Sequence, residues 1–264
     1  MPYFRTDRRN KIYYELIENP EVSQTLVFVH GWAENHKVWR EQLEFFQDKY
    51  KLLIYDLRGF GLSSKPTYGY SLKLQSKYLH NLIQTLNLTD YWLIGHSLGG
   101  MITLHYAEKY SAELNGAVLI DTTSYIPTKV TTLRSLGTFF ISKTLRTIWQ
   151  KTLKTMRTEN RRTLIQDLIH DVDSVPLYTS AACGIAVLNS RIDLKEITCP
   201  IQIIVGADDE LTPVGLSEKM HQKLPNSRLA IIPDTGHMSF IEKPDEINLL
   251  LAEFFHNPHH NVYQ

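Results

Sequence analysis

The chain has 264 residues, and its 28 lysines and arginines balance 28 aspartates and glutamates, so the formal net charge is zero. With 43% hydrophobic and 21% charged residues, it has a globular composition. That excludes a disordered chain, which would hold fewer apolar residues and more net charge, and any bulk attraction to nucleic acid or membrane.

The elements follow in chain order. Ile12–Ile17 reads as an early strand. Thr25–His30 is a continuous apolar run, the pattern of a strand buried on both faces, and it stops at Gly31. Val38 to Tyr50 has helical spacing. Lys51–Asp56 is a strand, and Leu72 to Leu86 is a helix with Leu72, Leu79, Leu82, Ile83 and Leu86 along one side. Tyr91–Gly95 is a strand, Leu98 to Tyr110 a helix, and Ala117–Asp121 a strand. This alternation implies right-handed crossovers and a mostly parallel central sheet flanked by helices, an α/β fold. From Thr122 to Leu194 no buried strand is visible and the texture is helical. Strands resume at Ile201–Gly206 and Arg228–Ile232, with helices over Pro213–Lys223 and Pro244–Phe255; Pro244 suits a first helical turn. The expected organisation is a core of residues 1–121 and 195–264, interrupted by a helical insertion, 122–194.

Cys183 and Cys199 are sixteen residues apart. One bridge between them is allowed, but two free thiols in a reducing compartment is the simpler expectation. The charged N-terminus has no apolar signal region, and no run of eighteen apolar residues exists to span a membrane. A cytoplasmic protein is expected.

Four segments carry chemistry. In Gly95-His96-Ser97-Leu98-Gly99-Gly100 a buried strand runs into a helix. A turn that sharp needs small flanking residues, and it would leave Ser97 exposed beside the helix N-terminus as a nucleophile. His30-Gly31-Trp32 also follows a buried strand. An acyl-transfer site needs two preorganised donors for its oxyanion; the backbone N–H groups of Leu98 and Trp32 are the candidates. His30 is expected to bond within its own loop. In the third segment, Gly206 to Pro213, either Asp208 or Asp209 could orient an imidazole. In the fourth, His237 lies in a glycine turn after the last strand, where a general base could reach Ser97. The chain order Ser, Asp, His differs from that of other serine-triad folds.

These segments, together with Asp56 to Ser63, resemble the α/β-hydrolase superfamily over nearly the whole chain. Its small capped serine esterases and lactonases are most similar, such as pimeloyl-ester carboxylesterases and enol-lactone hydrolases. The resemblance implies the α/β-hydrolase fold with a helical cap (lid) insertion. It implies Ser97, Asp209 and His237 as the catalytic residues, because the family spacing of Gly, two residues, Asp, three residues, Pro selects Asp209. Relatives with the acid one strand earlier would use Asp121. Dehalogenases and epoxide hydrolases of this fold carry Asp at the elbow, so Ser97 implies acyl transfer to water from a small-molecule carboxylic ester or lactone, with no cofactor and no metal. C–C bond hydrolases, lipases, aminopeptidases and receptor-like binding proteins share these motifs. Arg58 is expected to brace loops, and Trp32 and Trp149 to line the substrate pocket.

Residues 129 to 162 hold nine lysines and arginines and a single acid, Glu159. Lys143, Arg146, Lys154, Arg157 and Arg161 fall near one side of a helix, opposite Leu145, Ile148, Trp149, Leu153 and Met156. The stripe is a solvated face, a steering surface for an anionic substrate, or a contact for an anionic membrane surface. If it steers, kcat/KM for an anionic ester falls with rising salt while that for a neutral ester holds. Equal salt dependence for the two esters would exclude steering.

Overall fold

The computed structural model describes residues 2–126, 147 and 162–259. Its strands are β1 (Tyr3–Arg5), β2 (Lys11–Ile17), β3 (Thr25–Val29), β4 (Lys51–Tyr55), β5 (Tyr91–His96), β6 (Gly116–Ile120), β7 (Ile201–Gly206) and β8 (Ser227–Ile232). They form a single sheet in the order β1-β2-β4-β3-β5-β6-β7-β8. The β1–β2 and β2–β4 pairs are antiparallel and all others parallel. The central strands β3, β5, β6 and β7 are buried at every residue, as strands covered on both faces must be. At the edge, β8 leaves Ile231 exposed.

Helices α1 (Arg40–Phe46), α2 (Leu72–Thr85), α3 (Leu98–Tyr110), α4 (Arg162–Ser174), α5 (Leu177–Leu188), α6 (Val214–His221), α7 (Ser239–Glu242) and α8 (Pro244–His256) accompany the sheet. As the spacing predicts, α2 buries Leu72, Leu79, Leu82 and Ile83. Helix α8 starts with Pro244, and Asp245 and Glu246 in its first turn complement the helix dipole. Trp39 meets Phe28 and Phe240, and Trp92 meets Phe254 and Phe255, in ring contacts of 4.6 to 5.4 Å that join helices to sheet.

Three elements differ from the sequence pattern. The segment from Val38 is a 3-10 turn, His36–Trp39, followed by the short α1, because the Asn35 side chain caps the turn by accepting from the Lys37 amide. Strand β1 is three residues long, and α7 is a single turn; neither is long enough to show a period. Both cysteines are free and buried.

Strand β3 sends its chain to β4 on one side, while β5 lies on its other side. This reversal is a topological switch point at the carboxyl ends of β3 and β5, the place where open α/β sheets bind ligands. The described part of the insertion, α4 and α5, is seated on loops at that end. Leu168, Val172 and Val175 join the core. Asn35 donates to Asp171, the Tyr178 hydroxyl donates to the Lys65 carbonyl at 2.5 Å, and the Tyr70 and Thr179 hydroxyls lie 3.2 Å apart. The returning chain is tied to α3 by Ser190 Oγ, 2.9 Å from His105 Nε2, and by the Asp193 amide donating to Glu108. The residues named in the basic stripe and its apolar counterpart, all between 143 and 161, fall outside the described residues.

Gly99 has no room for a side chain. A Cβ there would stand 2.1 Å from the Val29 carbonyl oxygen and 2.5 Å from that of His30. Both obstacles are backbone, so no rotamer can relieve them. Gly99→Ala is expected to lower stability by about 3 kcal/mol, the upper part of the range for overpacked cores. Urea unfolding of the two proteins checks this; an unchanged midpoint would contradict it.

Candidate active site

The carboxyl ends of five neighbouring parallel strands supply the site. Ladder pairs Val29↔Gly95, His96↔Ile120 and Gly206↔Ile232 align these ends. Trp32 therefore follows β3, Ser97 follows β5, Asp121 follows β6, Asp209 follows β7 and His237 follows β8 on one rim.

Ser97 sits between β5 and α3 with φ 50° and ψ −116°. That is a left-handed conformation for a residue with a side chain and costs about 1–3 kcal/mol. It is held by its neighbours. The Ser97 amide donates to the Ile120 carbonyl at 3.0 Å, and its carbonyl accepts from the Thr122 hydroxyl at 2.6 Å. A Cβ on Gly95 would fall 2.5 Å from Thr103 Oγ1 and 2.7 Å from the Gly99 carbonyl, so the turn closes only with glycine there.

His237 Nε2 lies 2.9 Å from Ser97 Oγ, and His237 Nδ1 lies 2.8 Å from Asp209 Oδ2. Asp209 is buried. Its Oδ1 accepts from the Leu211 and Thr212 amides at 2.8 and 2.9 Å, and its Oδ2 accepts from the Thr212 hydroxyl at 2.6 Å. Burial pushes this carboxyl up, but the charge and hydrogen bond of His237, with the Thr212 hydroxyl and amide, outweigh burial and hold it well below the usual carboxylate range. Ionised Asp209 accepts the Nδ1 proton, which leaves the Nε2 lone pair facing the Ser97 hydroxyl. Asp208, the alternative in the sequence, is exposed.

Asp121 is fully buried and turned to other partners. Its Oδ1 accepts from the Gly206 amide, and its Oδ2 from the Ser239 amide and hydroxyl, at 2.7 to 2.9 Å. Burial and then the charge of Asp209 push it up to about 6. It joins the ends of β6 and β7 to the start of α7.

Leu98 opens α3 directly after Ser97, in the first turn, where backbone N–H groups have no partner within the helix. Trp32 is buried in the loop after β3, and the contact of Gly99 with Val29 and His30 puts that loop beside the start of α3. His30 bonds within its own loop through one ring nitrogen and to the loop after β4 through the other. Its Nδ1 is 2.8 Å from the Gly31 carbonyl, and its Nε2 accepts from the Leu57 amide. Arg58 is buried and donates to the Tyr68 carbonyl and Thr6 hydroxyl, bracing loops as expected. Trp149 lies outside the described residues. Three contributors escape the sequence reading: Thr212, Glu34 and His96. Thr212 has a faint signal, a hydroxyl three residues after an aspartate, the spacing of a local side-chain to backbone turn.

The alpha/beta hydrolase fold family matches residues 24–244, and the chain belongs to that family. Among curated relatives, 3-oxoadipate enol-lactonase 2 of Acinetobacter baylyi is 26% identical over 231 residues, covering 84% of this chain and 85% of the lactonase. A pimeloyl (acyl-carrier protein) methyl ester esterase of Nitrosomonas europaea is 25% identical over 244 residues, covering 87% and 95%. A thermophilic esterase from Thermogutta terrifontis superposes with a TM-score of 0.82 at 22% identity, covering 97% of each chain; at that identity the likeness concerns the fold.

Because its acidity is raised by folding, Asp209 contributes stability that is present above its unfolded value, about 3.9, and lost as pH falls below it. Wild-type stability is expected to drop below about pH 4, and Asp209→Asn to drop less steeply there while being about 2 kcal/mol less stable at pH 7. Urea midpoints across pH 3 to 7 check this; parallel curves would refute it.

Proposed function

We propose that the protein is a serine hydrolase that cleaves a small-molecule carboxylic ester or lactone through an acyl-enzyme on Ser97. The observation that carries the reading is the unbroken line from Ser97 Oγ to His237 Nε2, 2.9 Å, and from His237 Nδ1 to Asp209 Oδ2, 2.8 Å.

In this reading His237 takes the Ser97 proton as Oγ attacks the carbonyl carbon. Negative charge gathers on the carbonyl oxygen, and the Leu98 and Trp32 N–H groups receive it. His237 then gives its proton to the leaving alkoxide, and the alcohol departs. Water enters, loses a proton to His237 and attacks the acyl carbon; the tetrahedral species collapses and Ser97 recovers its proton. Asp209 keeps the imidazole in the Nδ1–H tautomer and balances the imidazolium. The side chain of Trp32 lines the acyl pocket; the same role for Trp149 falls on a residue outside those described. Residues 122–194 act as a cap over Ser97, supported by the seating of α4 and α5 on the loops at the carboxyl end of the sheet. The enol-lactonase and methyl ester esterase relatives favour esters and lactones as the substrate class. Two free buried thiols suit a reducing cytoplasm.

Turnover of p-nitrophenyl acetate and butyrate, with labelling of Ser97 by a fluorophosphonate, tests the proposal. Ser97→Ala and His237→Ala are expected to lower kcat by about 10⁴-fold or more, and Asp209→Asn by about 10²- to 10⁴-fold. In Asp209→Asn the amide oxygen stays on the Leu211 and Thr212 N–H groups, so its NH2 donor faces Nδ1 and the tautomer facing Ser97 is the wrong one. A wild-type protein with neither turnover nor labelling would defeat the reading.

A further inference from the structure

Beneath the Ser97–His237–Asp209 line lies a second pair of charged side chains, Glu34 and His96, both with no side-chain exposure. Glu34 Oε1 is 2.9 Å from His96 Nδ1. Glu34 Oε2 accepts from the Gly31 amide at 2.6 Å. On the other side, His96 Nε2 is 2.9 Å from the backbone carbonyl oxygen of His237. A carbonyl only accepts, so Nε2 carries a proton, and Nδ1 faces a carboxylate. The charge pair that this spacing supports is a Glu34 carboxylate beside a His96 imidazolium.

Burial opposes charge on both groups. In each, burial is the largest single influence, but the partner's charge and hydrogen bond, with His30 and the Gly31 amide for Glu34 and with Asp121 and the His237 carbonyl for His96, together outweigh it, so that the Glu34 carboxyl is held down and the His96 imidazole up. The space is fitted to the pair: a Cβ on Gly31 would stand 2.8 Å from both Glu34 Oε1 and His96 Nδ1. The His96 ring also packs against the rings of His237 and Phe240, at 5.1 and 4.8 Å between centroids.

The pair meets three separate loops of the site. Glu34 holds the amide of Gly31, and the next peptide N–H is that of Trp32, a proposed oxyanion donor. His96 directly precedes Ser97. The far nitrogen of His96 fixes the main chain of His237. These loops come from β3, β5 and β8, and β8 is not a neighbour of either of the other two. Acyl transfer needs their reacting atoms in register to a fraction of an ångström. A buried ion pair supplies this kind of specificity because losing one partner strands the other's charge.

We infer that Glu34 and His96 form a single positioning unit, which sets the oxyanion loop and the His237 loop relative to Ser97. This rests on the acyl-transfer reading above. Neither residue touches the reacting atoms; their effect passes through Gly31 and the His237 backbone.

The test compares Glu34→Ala, His96→Ala, the double variant and Glu34→Gln. Competent Ser97 is counted by fluorophosphonate titration, and kcat and KM are measured with p-nitrophenyl butyrate. Each alanine variant is expected to lose about 10- to 100-fold in kcat per titrated site, with KM within about threefold, because misplaced donors act on the transition state. The double variant is expected to be no worse than the poorer single one by more than about twofold, since both changes disable one unit. Glu34→Gln is expected to stay within about fivefold of wild type, because its amide can keep both contacts beside a neutral His96. An unchanged kcat per titrated site, or losses that multiply in the double variant, would overturn the inference. Should the alanine variants fail to fold, Glu34→Leu, His96→Leu and their double variant, which fill the space but make neither contact, give the same comparison.

A readout that needs no turnover is nitrogen NMR of the imidazoles, with His96 assigned by its loss in His96→Gln. Two protonated ring nitrogens at pH 7 in wild type, and one in Glu34→Gln, are expected. A neutral His96 in wild type would overturn the pair. A wild-type protein that neither labels nor turns over esters would refute the acyl-transfer reading, and the imidazole spectrum would still decide the ion pair.

Discussion

Everything at the candidate site depends on how closely the start of α3 can approach the ends of β3 and β5. Ser97 is forced into a left-handed conformation, and that strain persists because the surroundings leave no other path. Gly95 and Gly99 have no side chains where backbone oxygens already occupy the space. The packing therefore does two things at once. It presents the Ser97 hydroxyl at the top of the sheet, and it brings the His30–Trp32 loop against the first turn of the helix. A looser elbow would separate the proposed nucleophile from the groups proposed to stabilise its product.

The rim also carries more buried charge than a hydrolase line requires. Asp209, Asp121, Glu34 and Asp56 are all buried. Each is met by donors from a different element, as buried charges must be. Asp56 illustrates the structural end of this range: it accepts from the His36 amide and ring and from the Leu62 amide, and so shapes the loop after β4. Asp209 and Asp121 show how environment separates two similar groups. The first is held ionised by an imidazole and three further donors, whereas the second is pushed toward its neutral form by burial and by the first. Neighbouring carboxyls driven apart in this way take different tasks; here one faces the imidazole and the other ties strand ends to α7.

The insertion between β6 and β7 meets the core through its described helices at loops that also frame the site. Asp171 bonds Asn35, which lies next to Glu34 in the loop after β3. Thr179 touches Tyr70, and Tyr178 the Lys65 carbonyl. Helices α4 and α5 therefore rest on the loops after β3 and β4, which also carry Trp32 and Arg58. This is the part of the chain where charge is most uneven, since the neutral total conceals a segment of +8 and a remainder of −8.

Much of the architecture was legible in the sequence, because a strand buried on both faces must be apolar without interruption and a sharp turn must be lined with glycine. Those local rules identified β3 to β8, the elbow at Ser97 and the glycine turn at His237. They could not reveal β1 or α7, which are shorter than any period, nor the split before α1, which one side-chain cap from Asn35 decides. Glu34 and His96 had no readable pattern, since their meaning lies in a contact between residues sixty positions apart and in a carbonyl supplied from β8's loop. The choice of Asp209 over Asp208 came from family spacing, and the fold supplies its reason: one carboxyl is buried toward the imidazole and the other faces water. Local sequence sets which segments can be strand, helix or tight turn. Which charged groups end up opposite one another, and so which are ionised, is decided only when the sheet aligns its carboxyl ends and excludes water.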